Sequence, residues 1–211
     1  MGVDIYLEPA FSRNREAHEP EFDRAVARRD ALDPCGHRDP QLGCARCAAE
    51  EEVGRAREAM YPDRYYIRSS YNPTSLFGWS QANLGLDLMA LLEEWLEERP
   101  GQEPERAIFR VREFGHALGV ALSAAVAANA ERILKDGSVA RFHGPQLVKD
   151  LVVHMALTAE EGGELASGGS FDDHPLTVEE TGWYLHEVLG LARFADACRR
   201  AEAGSYIVVS A

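Results

Sequence analysis

Lysine is almost absent from this sequence. Only Lys135 and Lys149 occur among its 211 residues, and the 22 basic residues are outnumbered by 35 acidic ones, which leaves a net charge of −13. A field of that sign repels nucleic acid and anionic membranes, so neither is an expected partner. A protein that mimics nucleic acid is a third and weaker hypothesis, because arginines interrupt the acidic runs.

Long apolar runs and export signals are also missing. The most apolar window, 117–130, is shorter than the roughly 20 residues that cross a bilayer and predicts a buried core helix instead. The N-terminus lacks the basic segment and apolar run of a signal peptide. We therefore expect a cytoplasmic protein without a membrane partner. Three of its four cysteines lie within thirteen residues, which suggests a metal site rather than disulfides.

Familiar catalytic signatures are absent as well. The sequence has no Gly-x-Ser-x-Gly elbow, no Walker loop, no GxGxxG turn and no HExxH pair. His116, His154 and His186 fall on three predicted helices that could converge on a metal, but three separate half-buried histidines are the plainer interpretation. The sequence names no reaction, and it leaves the oligomeric state open.

What the sequence does contain is a compact set of metal ligands, Cys35, His37, Cys44 and Cys47. Zinc prefers four thiolate or imidazole ligands in a tetrahedron, and the two-residue gap of Cys44-Ala-Arg-Cys47 lets one turn present two thiolates to one ion. A closed set of four ligands is typical of a structural site. We therefore predict a structural zinc ion.

The predicted metal loop covers residues 33–48 and would project from the fold between two polar helices. The alternative is a coincidental group of surface thiols, which the liability of exposed free cysteines disfavours. Cys198 lies on the last predicted helix, where a small buried residue is expected.

Strand-like alternation occurs in three stretches, 3–7, 65–71 and 205–209. Helical patterns fill much of the remaining sequence, at about 19–31, 45–60, 76–98, 104–135, from 145 onward and 177–203. Three strands need a cover, which the apolar helices can supply. We predict one α+β domain over residues 1–211, with a small, three-stranded sheet packed on a mostly helical bundle.

A second candidate site lies where the middle strand is predicted to turn into a helix. Its polar residues are Arg68, Ser69, Ser70, Tyr71 and Asn72. Helix N-termini attract anions, and a guanidinium suits carboxylate or phosphate. A solvated strand edge explains the same residues, so a ligand site is one of two open interpretations.

Scattered pieces of the chain resemble a group of phage and bacterial hypothetical proteins. The matching pieces are Met1-Gly-Val-Asp-Ile-Tyr-Leu7, Tyr66-Ile-Arg68, Phe77-Gly-Trp79 and Gly204-Ser-Tyr-Ile207. The polar run 69–72 differs from that group, and its C-terminal aromatic ending is missing here. The resemblance implies the order of the fold and a phage or prophage-type origin. The group has no established activity, so no catalytic residue is implied.

Two hypotheses of function follow. The first is a zinc-containing cytoplasmic accessory protein of phage type that acts by binding a protein or a small ligand. The second is an enzyme that acts on a phosphate- or carboxylate-bearing small molecule, with Arg68 holding the anion.

Overall fold

The computed structural model describes residues 2–37, 41, 43–62, 64–70, 76–99, 101, 105–129 and 190–210. Contacts divide the chain into two compact units. The hairpin unit is Pro9–Pro62, and the sheet unit contains Met1–Glu8 and the chain from Asp63 onward. The single domain over 1–211 stays a prediction.

The described residues form a sheet of five strands, and the α+β class is confirmed. The strands are β1 (Gly2–Glu8), β2 (Tyr66–Ser70), β3 (Glu97–Glu98), β4 (Arg106–Ile108) and β5 (Tyr206–Ser210). Their order is β2-β1-β5-β4-β3, and every neighbouring pair is antiparallel. The strands nearest the two ends of the sequence therefore pair at the centre of the sheet.

Alternation in β1 decides which face of the sheet is buried. Val3, Ile5 and Leu7 are buried, whereas Asp4, Tyr6 and Glu8 between them are partly exposed. Because residues opposite each other share a face, the buried side continues from Ile5 to Ile67 on β2 and from Leu7 to Ile207 on β5.

The described helices of the sheet unit follow the middle strand and precede the last one. They are α3 (Leu76–Leu84), α4 (Leu88–Glu93), α5 (Val111–Ala128) and a helical segment over 190–199, and the hairpin unit adds α1 (Ala10–Asp30) and α2 (Ala45–Met60). α5 and the 190–199 segment are in close contact at Gly115, where a Cβ atom would lie 2.7 Å from the Cβ of Cys198. Among the described residues, no helix combines the length and apolarity needed to cross a membrane.

The predicted three-stranded sheet is wrong, because β3 and β4 interrupt two predicted helices. The apolar spacing over 76–98 predicts one helix, but Gly85 has a φ of +68° and separates α3 from α4. The predicted helix over 104–135 does not include Ile108, since Ala107 and Ile108 pair with β5 and α5 begins at Val111. Regular apolar spacing reports burial, which short strands share with helices.

Two predicted helices match well in the hairpin unit. α2 has the predicted bounds, whereas α1 covers the predicted 19–31 pattern as far as Asp30 and begins earlier, at Ala10. The helical starts predicted near 145 and 177 lie outside the described residues. The described part of the predicted last helix covers 190–199, where Ala192 and Ala195 are buried as predicted. Its predicted end at 203 is wrong, since residues 200–203 are not helical.

The core of the hairpin unit is thin. Among its described residues, the buried side chains are those of Ala25 on α1 and of four residues on α2: Cys47, Ala49, Ala56 and Met60. Three of the five are alanines, so these two helices bury little apolar surface against each other.

Candidate metal centre

The first ligand pair is set by the start of α2. Cys44 is the N-cap residue and Cys47 lies in the first turn, so the two-residue gap becomes one helical turn. The Cys44 N–H donates to the carbonyl of Gln41 at 3.1 Å, and Gly43 has a φ of +86°, which a side chain would disfavour. This tight turn therefore places the sulfurs of Cys44 and Cys47 on the same side of the start of α2.

The second pair comes from the segment that follows α1. Residues 33–37 have no regular secondary structure, and they carry Cys35 and His37 back toward the start of α2. Sequence spacing alone predicted that the two pairs would meet, and the structure brings all four residues together.

The geometry of the cluster fits one tetrahedral ion. Cys47 Sγ lies 3.6 Å from Cys35 Sγ and 3.6 Å from His37 Nδ1. The four ligand atoms all lie within 4.8 Å of one another. With Zn–S bonds of about 2.3 Å, a tetrahedron places its corners about 3.7 Å apart. A small contraction would therefore complete the coordination.

The surroundings of the cluster act in opposite directions on two of its thiols, favouring the thiolate at Cys44 and the neutral thiol at Cys47. The backbone N–H of Cys47 and its side chain, with His37 and the backbone of Arg46, lower the pKa of Cys44 to about 6 despite opposing desolvation. A hydrogen bond with the backbone of Gln41 lowers the pKa of Cys47, but desolvation and the sulfurs of Cys44 and Cys35 outweigh it and the pKa is raised. A cation among the sulfurs would relieve that repulsion.

Access to the cluster is uneven. Cys47 is buried, Cys35 and Cys44 are half-buried, and His37 is exposed. All three cysteines are free thiols, which leaves their sulfurs available to a metal. The cluster could hold a metal ion such as zinc, and its four protein ligands would fill a tetrahedral coordination shell.

The second predicted site is only partly described. Arg68 lies on β2 with its side chain 67% exposed, and its Nε lies 3.7 Å from Asp4 Oδ1 on β1. The side chains of Ser69 and Ser70, and all of Tyr71 and Asn72, lie outside the described residues. Anion binding at this turn stays a prediction.

The histidine hypothesis is described at only one of its three residues. His116 is exposed on α5, whereas His154 and His186 lie outside the described residues. Cys198 is fully buried in the sheet unit, and burial raises the pKa of its thiol, as expected of a small core residue.

Two polar side chains that the sequence analysis missed hold the ends of the hairpin helices. Arg46 Nη1 donates to the carbonyls of Arg29 and Leu32 near the end of α1. Asn14 Nδ2 donates to the carbonyls of Ala59 and Met60 at the end of α2, at 2.6 and 3.0 Å. Nothing in the sequence marks them, because their partners are backbone atoms of the other helix.

Comparison with protein-family models, with curated proteins and with solved structures finds no match to this chain. The case for a function therefore depends on the residues and their geometry.

Proposed function

We propose that the Cys/His cluster holds a structural zinc ion, and that the chain is a cytoplasmic accessory protein of phage or prophage type that acts by binding a protein or a small ligand. The observation that carries the zinc site is the convergence of four ligand atoms within 4.8 Å. The donor set of three thiols and one imidazole is one that zinc prefers.

A structural role for the ion follows from the ligand count. Four protein ligands leave no coordination position for a substrate or an activated water, so the ion would act on the fold rather than on a reaction. The ion would stabilise the packing of α1 on α2, because the buried side chains of these two helices are few and mostly small. A metal commonly replaces a missing core in small units of this kind.

A role in binding a partner is supported by the charged outer surface of α1 and α2, which the ion would leave exposed. Charged side chains cover the outer faces of the hairpin, among them Arg28, which pairs with Glu52 at 2.8 Å, and Arg15, which pairs with Glu19 at 3.4 Å. A polar helical pair held by a metal presents a defined surface without needing a pocket. We therefore place the contact with a partner on this unit.

Metal analysis of the purified full-length protein tests the proposal. We expect about one zinc per chain in the wild type and a loss of zinc in Cys44→Ser, which removes one ligand. Cys198→Ala is the matched control, because it removes a thiol from the core of the sheet unit and is expected to keep the zinc. Wild-type protein without zinc, or Cys44→Ser that keeps full occupancy, would overturn the zinc site.

A further inference from the structure

Arg46 occupies an unusual place for a charged side chain. It lies between the two ligands of the Cys44-x-x-Cys47 turn, and its side chain is only 17% exposed. Long basic side chains normally keep their charged end in water. A guanidinium that is mostly covered needs partners that repay its lost hydration.

The partners of Arg46 tie the metal-binding turn to the end of the other helix. Its Nη1 donates to the carbonyl of Arg29 and, at 3.0 Å, to that of Leu32, while its Nε donates to Glu50 Oε1 at 3.2 Å. The last carbonyls of a helix lack partners within the helix, and a cation there also meets the negative end of the helix dipole. One side chain thus joins the end of α1 to the start of α2.

The bond to Leu32 matters because of what comes next in the chain. Cys35 follows three residues later, and 33–37 have no regular secondary structure. Among the described residues, no backbone hydrogen bond is seen at 33 or 34. The bond from Arg46 therefore holds the point from which the Cys35–His37 pair departs, and it shortens the loop that a metal must close.

We infer that Arg46 is a positioning residue for the metal centre, which sets the affinity of the four-ligand site by holding its two ligand pairs together. The inference rests on the proposed zinc site. Residues of this kind, which orient ligands without contacting the ion, typically change metal affinity by about 10–100-fold when they are replaced.

The test compares metal affinity in full-length wild type, Arg46→Ala, Arg46→Lys and Arg28→Ala. Zn²⁺ affinity is measured by competition with a chromophoric chelator, and Co²⁺ absorption reports whether thiolates surround the ion. Arg28→Ala is the matched control, because Arg28 also links the two helices, through both carboxylate oxygens of Glu52 at 2.8 Å, but is 65% exposed.

We expect Arg46→Ala to raise the Zn²⁺ Kd by about 10–100-fold while keeping the stoichiometry and the thiolate-to-Co²⁺ absorption at saturation. Arg46→Lys keeps the positive charge but replaces the planar guanidinium with a single ammonium group. Its Zn²⁺ Kd is expected to lie between those of Arg46→Ala and the wild type. Arg28→Ala is expected to stay within about twofold of the wild type, because exposed ion pairs contribute little. If Arg46→Ala does not fold, Arg46→Lys decides, and a wild-type Kd in that variant overturns the inference.

Two failures are distinguishable. A wild type that binds neither Zn²⁺ nor Co²⁺ overturns the zinc site and the role of Arg46 together. Tight binding by the wild type with an equal affinity in Arg46→Ala, or with the same loss in Arg28→Ala, overturns the role of Arg46 alone.

Discussion

Removal of the metal is expected to unfold α1 and α2 while the five-stranded sheet survives. The perturbation is a strong chelator added to the zinc-loaded protein. α1 and α2 contain 21 and 16 of the 211 residues. The circular dichroism signal lost on chelation should therefore not exceed the contribution of these two helices. The sheet residues belong to the other compact unit and contain no ligand of the cluster.

The size of the expected effect follows from comparing the free energy that apolar burial contributes to the hairpin unit with the free energy of zinc binding. Three buried alanines at about 0.8 kcal/mol each, one methionine at about 2 kcal/mol and one cysteine at about 1 kcal/mol give roughly 5 kcal/mol of apolar burial. Pro20 lies inside α1, where proline costs about 3 kcal/mol. A structural zinc site contributes about 10–16 kcal/mol, so the metal would stabilise the two helices more than their own apolar core does.

The assay is amide hydrogen exchange with and without chelator, accompanied by far-ultraviolet circular dichroism. Exchange is expected to speed up across 10–30 and 45–60 after chelation, whereas peptides from β1 and β5 keep their protection. Undiminished protection of α1 and α2 in the chelated protein would refute the reasoning, because the two helices would then be stable without the ion.

Two further predictions concern the close helix packing and the thiols. Gly115→Ala is expected to lower stability by about 1–3 kcal/mol, because its Cβ would meet Cys198 Cβ at 2.7 Å and the carbonyl of Ala195 at 2.8 Å. Gly54→Ala is the control, because a Cβ at Gly54 would have no atom within 4 Å and alanine adds about 1 kcal/mol of helix propensity. If Gly115→Ala and Gly54→Ala had the same melting temperature, the close packing at Gly115 would be contradicted. In the metal-free protein, where α2 is expected to unfold, alkylation of Cys44 is expected to follow the pH profile of an ordinary thiol, because the hydrogen bonds with Cys47 and His37 that lower its pKa to about 6 in the folded cluster are lost. Cys198 is expected to stay unmodified until the sheet unit unfolds, and mass spectrometry of labelled peptides checks both thiols. A metal-free Cys44 whose alkylation slows only below about pH 6 would contradict the prediction.

The sequence predicts best where a local rule decides the structure. The bounds of α2 follow from a helical pattern that Tyr61-Pro62 closes, and the ligand set follows from spacing that suits one ion. The alternation of β1 predicts its buried face for the same reason, since a strand repeats every two residues.

The sequence fails where tertiary contacts decide. Trp95 continues the apolar spacing of α4 beyond its end because its ring packs edge-on against Phe114 at 6.1 Å and under Arg110 at 4.8 Å. β4 is only three residues long, so it shows no alternation to detect. The role of Arg46 depends on two backbone carbonyls of another helix, which no spacing rule can identify.

The pairing of β1 with β5 has a consequence for the order of folding during synthesis. β1 is made before the other four strands, but its neighbour β5 is residues 206–210, so the central pair of the sheet cannot form until those residues have left the ribosome. The Pro9–Pro62 hairpin is one continuous segment that makes its contacts within itself, so it can form and take up its ion while the rest is still being translated. Until β5 arrives, β1 presents an unpaired edge, so a polypeptide that stops short of residue 206 is expected to aggregate rather than to fold.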